Sequence, residues 1–471
     1  MAVAQLRHMT PAVSYPAEKI SLGTFAWPIR DWFMLRTGLL STSGIAVALS
    51  LTPGLLPRAA AMQAFVTGLF VLVALALHCG VSWVLRYRGV TVPAAFRVVA
   101  AGLGVVVAAY ALWRNSEWQN ALRSEMRMPE IGATYWAVFA GLAGAMIALA
   151  MLGVRLIARA SRSPMKLVGI AVVVGAVVYL VALPAGGSMA TRAVQPVSLD
   201  MPGQLANTPW VSGSSDSRVS WEELGSYGQR FVLGSGAAGA SSGAVRVYAG
   251  MSAADSIQER AALVVHELER TGGLTKSHLV VAFPTGSGWI DPAAARAIED
   301  RFGDDVATAA MAYSTSPSWI NYLFGRVEAE EAAAILTSEV AARLQEMPRA
   351  ERPRLYLYGL SMGSIAGAAA LTALDHAGLE PCGVLWAGAP PAVDRTTTRT
   401  VVVENPSDPV AVWEPRLAVW PTERLDVWLP VVSYLQVSAD LANSLAAGPG
   451  FGHRYGAEQG DLLPDCGPER Y

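Results

Sequence analysis

Five apolar segments follow one another in the amino-terminal part of the chain: Thr37–Leu56, Met62–Leu85, Ala94–Trp113, Thr134–Ile157 and Leu167–Pro184. Each approaches or exceeds the roughly 20 residues a helix needs to cross a hydrocarbon layer. In lipid every backbone N–H and C=O must be paired within the segment, so stretches of this kind are helices. Soluble cores do not string five such segments in series. A cleaved signal peptide is not expected, because the first segment starts too late and more follow. The sequence therefore predicts an all-α membrane domain over residues 36–186, behind a cytoplasmic tail over residues 1–35.

Charge placement orients these spans, because basic residues favour the cytoplasmic side. Arg7, Lys19, Arg30 and Arg36 precede the first span, Arg86, Arg88 and Arg97 surround the second loop, and Arg155, Arg159, Arg162 and Lys166 surround the fourth. The first loop holds only Arg58. The third holds Arg114, Arg123 and Arg127, diluted by Glu117, Glu125 and Glu130. The amino terminus is thus expected inside, and five spans would place everything after Pro184 outside. Gly141, Gly144 and Ala148 in the fourth span are expected to allow close helix packing. His78 reads as an interfacial or packed histidine rather than a proton relay, and Cys79 as a packing residue. No intramembrane acid–base pair points to transport.

Residues 187–219 are rich in Gly, Ser and Pro and read as a juxtamembrane linker. Residues 220–471 then alternate between strand-like and helix-like runs. Strands are expected at Val245–Ala249, His278–Phe283, Val306–Tyr313, Arg354–Tyr358, Gly383–Trp386 and Thr400–Val403, with helices at Ala254–Thr271, Pro292–Phe302, Val327–Met347 and from Ser364 to Ala377. Such alternation implies a mainly parallel sheet with helices on both faces. The charge balance of −2 argues against nucleic acid as a partner. Cys382 and Cys466 both fall in the expected exterior domain, where a disulfide would persist, but sequence leaves their pairing open.

Within this domain Gly359-Leu360-Ser361-Met362-Gly363 joins a strand to a helix rich in small residues. A serine between two glycines at such a turn is thrust out as an exposed nucleophile. The pattern alone is weak in a chain with 44 glycines, and it recurs at Gly239–Gly243, where no strand precedes it and no helix follows. Gly234–Gly239 also matches a dinucleotide fingerprint, but the strand at Val245 leaves no room for the required helix. No cysteine–histidine cluster has metal-ligand spacing, and no phosphate-binding loop is present, so neither metal nor cofactor is expected.

A serine nucleophile needs a base, and the base an orienting acid. Only His376 and His453 follow Ser361. His376 lies about four turns down the helix launched by Ser361 and cannot reach back. His453, in the glycine-rich stretch Gly450–Gly456, is left as the base. Asp408 in Asn405-Pro406-Ser407-Asp408-Pro409-Val410 follows the strand ending at Val403, at the edge where open α/β sheets bind ligands. Its rivals are Asp394, which precedes that strand, and Asp426, in an aromatic segment. Met362 N–H is one oxyanion donor by position. Thr285 or Gly286, in Pro284-Thr285-Gly286-Ser287-Gly288-Trp289, is the expected second. Aromatic residues cluster at Trp319, Tyr322 and Phe324 and again at Trp413, Trp420, Trp428 and Tyr434, positions suited to an acyl pocket, a membrane interface or core packing.

The whole chain resembles a bacterial family of membrane-anchored α/β-hydrolases. The stretches that carry the likeness are Ser50-Leu51-Thr52-Pro53-Gly54-Leu55-Leu56-Pro57-Arg58, Thr285–Pro292, Gly359–Gly363, Ser407–Val410 and Gly452-His453-Arg454-Tyr455. The resemblance implies lipase- or esterase-like activity and a Ser361–Asp408–His453 triad. The expected function is ester cleavage, lipid esters included, outside the membrane. Acyl transfer on the same triad and a non-catalytic binding or assembly protein on a hydrolase scaffold are the alternatives. The expected partners are the bilayer and a lipid or ester substrate.

Overall fold

The computed structural model describes residues 29–160, 208–234, 243–316, 318–393 and 399–466. The chain opens with four helices, α1 (Ile29–Ser50), α2 (Ala60–Tyr87), α3 (Ala94–Glu125) and α4 (Ala133–Ala160). They run up and down. Gly44 of α1 lies so close to Gly104 of α3 that a Cβ on either would strike the other helix's backbone. Ala64 of α2 packs with Phe139 and Ala143 of α4. The carboxyl ends of α1 and α3 and the amino ends of α2 and α4 meet at one end, where Asn115 Nδ2 donates to Leu51 O at 3.0 Å and Gln63 Nε2 to Ser50 O at 3.0 Å.

Three of these helices, Ala60–Tyr87, Ala94–Glu125 and Ala133–Arg155, are long and apolar enough to cross a membrane. Against the expectation of five spans, about three are found among the described residues. The first segment is helical only to Ser50, leaving the shorter apolar helix Gly38–Ser50. The chain beyond it turns through Pro53 and Gly54, which cannot sustain a helix. The fifth segment lies outside the described residues. Two smaller readings also change. Gly141, Gly144 and Ala148 are exposed, and among the described residues a Cβ at either glycine would meet nothing within 4 Å; the face of α4 that packs there is that of Phe139, Ala143 and Ala150. Cys79 is exposed rather than packed. His78 is a packed histidine whose Nδ1 lies 3.0 Å from Thr42 Oγ1.

The second half folds around six parallel strands: β1 (Val245–Ala249), β2 (His278–Phe283), β3 (Val306–Met311), β4 (Arg354–Leu360), β5 (Gly383–Ala387) and β6 (Thr400–Val403), in the order β1-β3-β2-β4-β5-β6. β1 and β3 are buried at every residue and β2 and β4 at all but the first, as a sheet covered on both faces requires; the edge strand β6 is only half-buried. One face carries α6 (Ile257–Arg270), α9 (Arg326–Glu346) and α10 (Met362–His376); the other carries α5 (Gly225–Leu233), α7 (Pro292–Phe302) and α12 (Glu458–Leu462). α8 (Ser318–Phe324) and α11 (Val432–Leu441), like α5 and α12, are additions the sequence pattern did not reveal. Cys382, at the start of β5, is disulfide-bonded to Cys466 near the carboxyl terminus.

Candidate active site

The chain leaves β2 toward β3 on one side and leaves β4 toward β5 on the other. Between the carboxyl ends of these adjacent strands lies the switch point where open α/β sheets form a crevice. Register brings four strand ends level there, since Phe283 pairs with Gly359, Leu360 with Ala387, and Ala387 with Val403. Ser361 is the first residue beyond β4 and the N-cap of α10. Its φ of 57° and ψ of −116° place a non-glycine residue in a strained region. Both flanking glycines are sterically required. A Cβ at Gly359 would strike Gly363 O, and one at Gly363 would strike Phe283 O at the end of β2. The turn is thus wedged against the neighbouring strand, and Ser361 is left half-buried at its tip.

Asp408 and His453 come together across 45 residues of sequence. His453 Nδ1 lies 2.8 Å from Asp408 Oδ2. The acid is fully buried and the imidazole 11% exposed. Asp408 Oδ2 also accepts from Tyr455 Oη at 2.5 Å, and Oδ1 from the N–H of Val410 at 2.8 Å. Because a carboxylate only accepts, Nδ1 of His453 is the donor, which leaves Nε2 as the nitrogen not engaged by Asp408. Ser361 N–H donates to Ala387 O at 2.9 Å, and the following Gly388 lies against the imidazole: a Cβ there would sit 2.5 Å from His453 Cε1. Glycine at 388, with φ of 54°, is therefore what lets the histidine lie over the end of β5 beside the serine turn. Ser361 Oγ makes no hydrogen bond among the described residues.

The loop after β2 forms the opposite wall. Thr285 N–H is already committed to Trp289 O at 2.9 Å, so of the two backbone donors expected from sequence only Gly286 N–H is left unspent. Asn321 of α8 holds the next peptide, donating to Gly286 O at 3.1 Å. Tyr248 Oη donates to Gly288 O at 2.7 Å, and Asp291 caps α7 while accepting from Gln459 Nε2 at 2.8 Å. Burial pushes the Asp291 carboxyl above its ordinary range, against the donors that hold it down. Met362, at the first position of α10, has no intrahelical partner for its N–H.

Residues that sequence reasoning passed over brace the histidine. Asn405 Nδ2 donates to Gly452 O at 2.9 Å and Arg454 O at 3.0 Å, and Gly452 N–H donates to Ser407 Oγ at 2.8 Å. His453 N–H donates to Ser444 O at 2.8 Å. The helical half takes part. Leu56 of the α1–α2 loop approaches Gly452, and Leu56 packs with Met126 and Ala447, with Phe451 against them. Arg58 is fully buried against Asp440 of α11, with Nε 2.9 Å from Oδ1 and Nη2 2.8 Å from the same oxygen. Asn443 Nδ2 donates to Pro57 O at 2.8 Å, and Gln436 Nε2 to Ser50 O at 3.0 Å. Of the rival acids, Asp426 is exposed and Asp394 lies outside the described residues. His376 ends α10, remote from the turn.

Tyr455 is the addition nearest the chemistry. Burial foremost, and then the neighbouring Asp408 carboxylate, push its phenol well above the ordinary value, so it stays a donor. Tyr455→Phe is expected to destabilise the fold by about 1.5–3 kcal/mol, the range for a hydrogen bond to a charged group. The denaturation midpoint measures it, and a loss under about 0.5 kcal/mol would mean the phenol is not needed to satisfy Asp408.

Two family models match the chain. One, described as "Alpha/beta-hydrolase family", covers residues 245–397 and 391–465; the other, "Alpha/beta-hydrolase family N-terminus", covers residues 51–236. No curated protein and no solved structure matches it.

Proposed function

Because the chain belongs to the alpha/beta-hydrolase family, we propose that it is a membrane-anchored serine hydrolase cleaving carboxylic esters, lipid esters among them, through Ser361, His453 and Asp408. The observation that carries this reading is the buried Asp408–His453 pair set against Gly388, next to the residue that accepts Ser361 N–H. His453 Nε2 takes the proton as Ser361 Oγ attacks the ester carbonyl, and Asp408 holds the resulting imidazolium. Met362 and Gly286 N–H groups meet the oxyanion. His453 then passes that proton to the departing alkoxide, leaving an acyl-serine. Water attacks it by the same relay, releasing the acid and restoring the hydroxyl.

The sheet domain belongs on the outer side of the membrane in this reading. It docks at the end of the helices where α1 meets α2 and α3 meets α4. Arg86, Arg88, Arg97 and Arg155 lie toward the other end, the pattern of a cytoplasmic face. The docked end also carries Arg58, Arg114, Arg123 and Arg127, but interspersed with Glu117, Glu125 and Glu130, whereas no acid stands beside Arg86, Arg88, Arg97 or Arg155. The Cys382–Cys466 disulfide points the same way, since such bonds persist in oxidising compartments.

A fluorophosphonate probe tests the nucleophile. Wild type is expected to label, and Ser361→Ala and His453→Ala to label at least about 100-fold more slowly. Undiminished labelling of Ser361→Ala would assign the reaction to another residue.

A further inference from the structure

A strip of large apolar side chains stands open on the segment that runs from the Asp408 loop to α11. Val419 is 62% exposed, Trp420 66%, Val427 49% and Val431 53%. The segment doubles back on itself, with Val431 N–H donating to Ala418 O at 2.8 Å and Trp428 Nε1 to Leu417 O at 2.9 Å. Its underside is core: Val412, Leu417 and Val437 are buried, with Trp428 and Tyr434 packed on them. Among the described residues its upper side covers nothing. Val431 also has φ of 64°, a region that strains a β-branched residue and that glycine would occupy freely. An exposed valine held in a strained conformation gains nothing from internal packing.

The place of the strip says what covers it. Leu55, in the α1–α2 loop, packs on the same cluster. Gln436 donates to Leu49 O and Ser50 O, at the last turn of the apolar helix Gly38–Ser50, whose Leu40 and Ile45 are themselves exposed. Val431 lies five residues before Gln436, about 7.5 Å along a helix rising 1.5 Å per residue. Val431 therefore stands close to the residue that meets the end of that apolar helix, within reach of a boundary layer ~5–10 Å deep. Tryptophan is enriched there, and Arg416 and Arg424, ion-paired with Glu414 and Glu404, flank Trp420.

We propose that Val419, Trp420, Val427 and Val431 seat the sheet domain in the interfacial layer of the bilayer that the helices cross. Lipid is the occupant of this strip. Trp413, in the turn after Asp408, meets Tyr322 edge-on and Tyr434 at a tilt, ring centroids 5.7 Å apart in both pairs, so the segment that carries the strip packs beside the acid loop. The inference rests on the membrane-embedded reading above.

Site-directed spin labelling of the full chain in phosphatidylcholine–phosphatidylglycerol vesicles separates the two. Cys79→Ser removes the free thiol, and Trp420→Cys, Val106→Cys on α3 and Glu346→Cys at the end of α9 are labelled one at a time. The label at 106 should relax with oxygen and the label at 346 with an aqueous nickel chelate. The label at 420 is expected to show an oxygen-to-nickel ratio at least about threefold above that at 346, as an interfacial depth requires. A label at 420 matching 346 while 106 reads as embedded would overturn the proposal alone. A label at 106 reading as aqueous would overturn the membrane reading with it. Spin–spin broadening at 420 that vanishes on dilution with unlabelled chain would assign the strip to a second copy instead.

Discussion

Ser361→Ala, His453→Ala and the double variant are expected to lose kcat to nearly the same extent, about 10⁴- to 10⁶-fold on an activated ester. The reason is that neither group works without the other. An alcohol without a base is a poor nucleophile at neutral pH, and a base without the alcohol has no proton to take. Residual turnover in all three variants should come from the Met362 and Gly286 N–H groups, which the substitutions leave in place. The Ser361→Ala change touches a half-buried hydroxyl without a hydrogen bond, so its fold should be intact. Losses that multiply in the double variant would show that Ser361 and His453 act independently, and the triad would have to be abandoned.

The legible parts of this chain were those fixed by local chemistry. The strands at His278–Phe283 and Thr400–Val403 and the helix at Pro292–Phe302 have the bounds their residues implied, because apolar runs are bounded there by loop and capping residues such as Asp291. The serine turn was legible for the same reason: two glycines are needed where backbone meets backbone. What was not legible depends on contacts across the chain. Arg58 read as a loop charge bearing on membrane orientation, yet its partner Asp440 lies 382 positions away. Tyr455 sits two residues from His453, but only the fold shows its hydroxyl on Asp408. The glycines of α4 suggested a packing face, but the true face is set by which side meets α2. Thr285 and Gly286 were equivalent in sequence, and one turn hydrogen bond separates them.

Arg58→Met is expected to cost about 3–5 kcal/mol, because it leaves a carboxylate buried without its cation. Asp440 is fully buried, and burial pushes its carboxyl above the ordinary range even with Arg58 and the Leu55 and Leu56 N–H groups pulling it down. Removing the guanidinium removes part of that pull, so the folded-state value rises further above the unfolded one. A group raised in this way costs nothing below its unfolded pKa and destabilises as pH rises through the folded value. The variant's deficit should therefore be larger at neutral than at acid pH in detergent denaturation. Arg58→Met combined with Asp440→Leu removes both charges and should recover most of the loss, as apolar replacements of buried ion pairs commonly do. The same cycle reads out function. His453 N–H rests on Ser444 O just beyond α11, and Gly452 lies against Leu56 in the loop that ends at Arg58. Turnover should accordingly fall in the single variant and return in the double. Recovery of stability without recovery of turnover would mean that the charges themselves, rather than the seating of the helical half under the histidine loop, support the reaction.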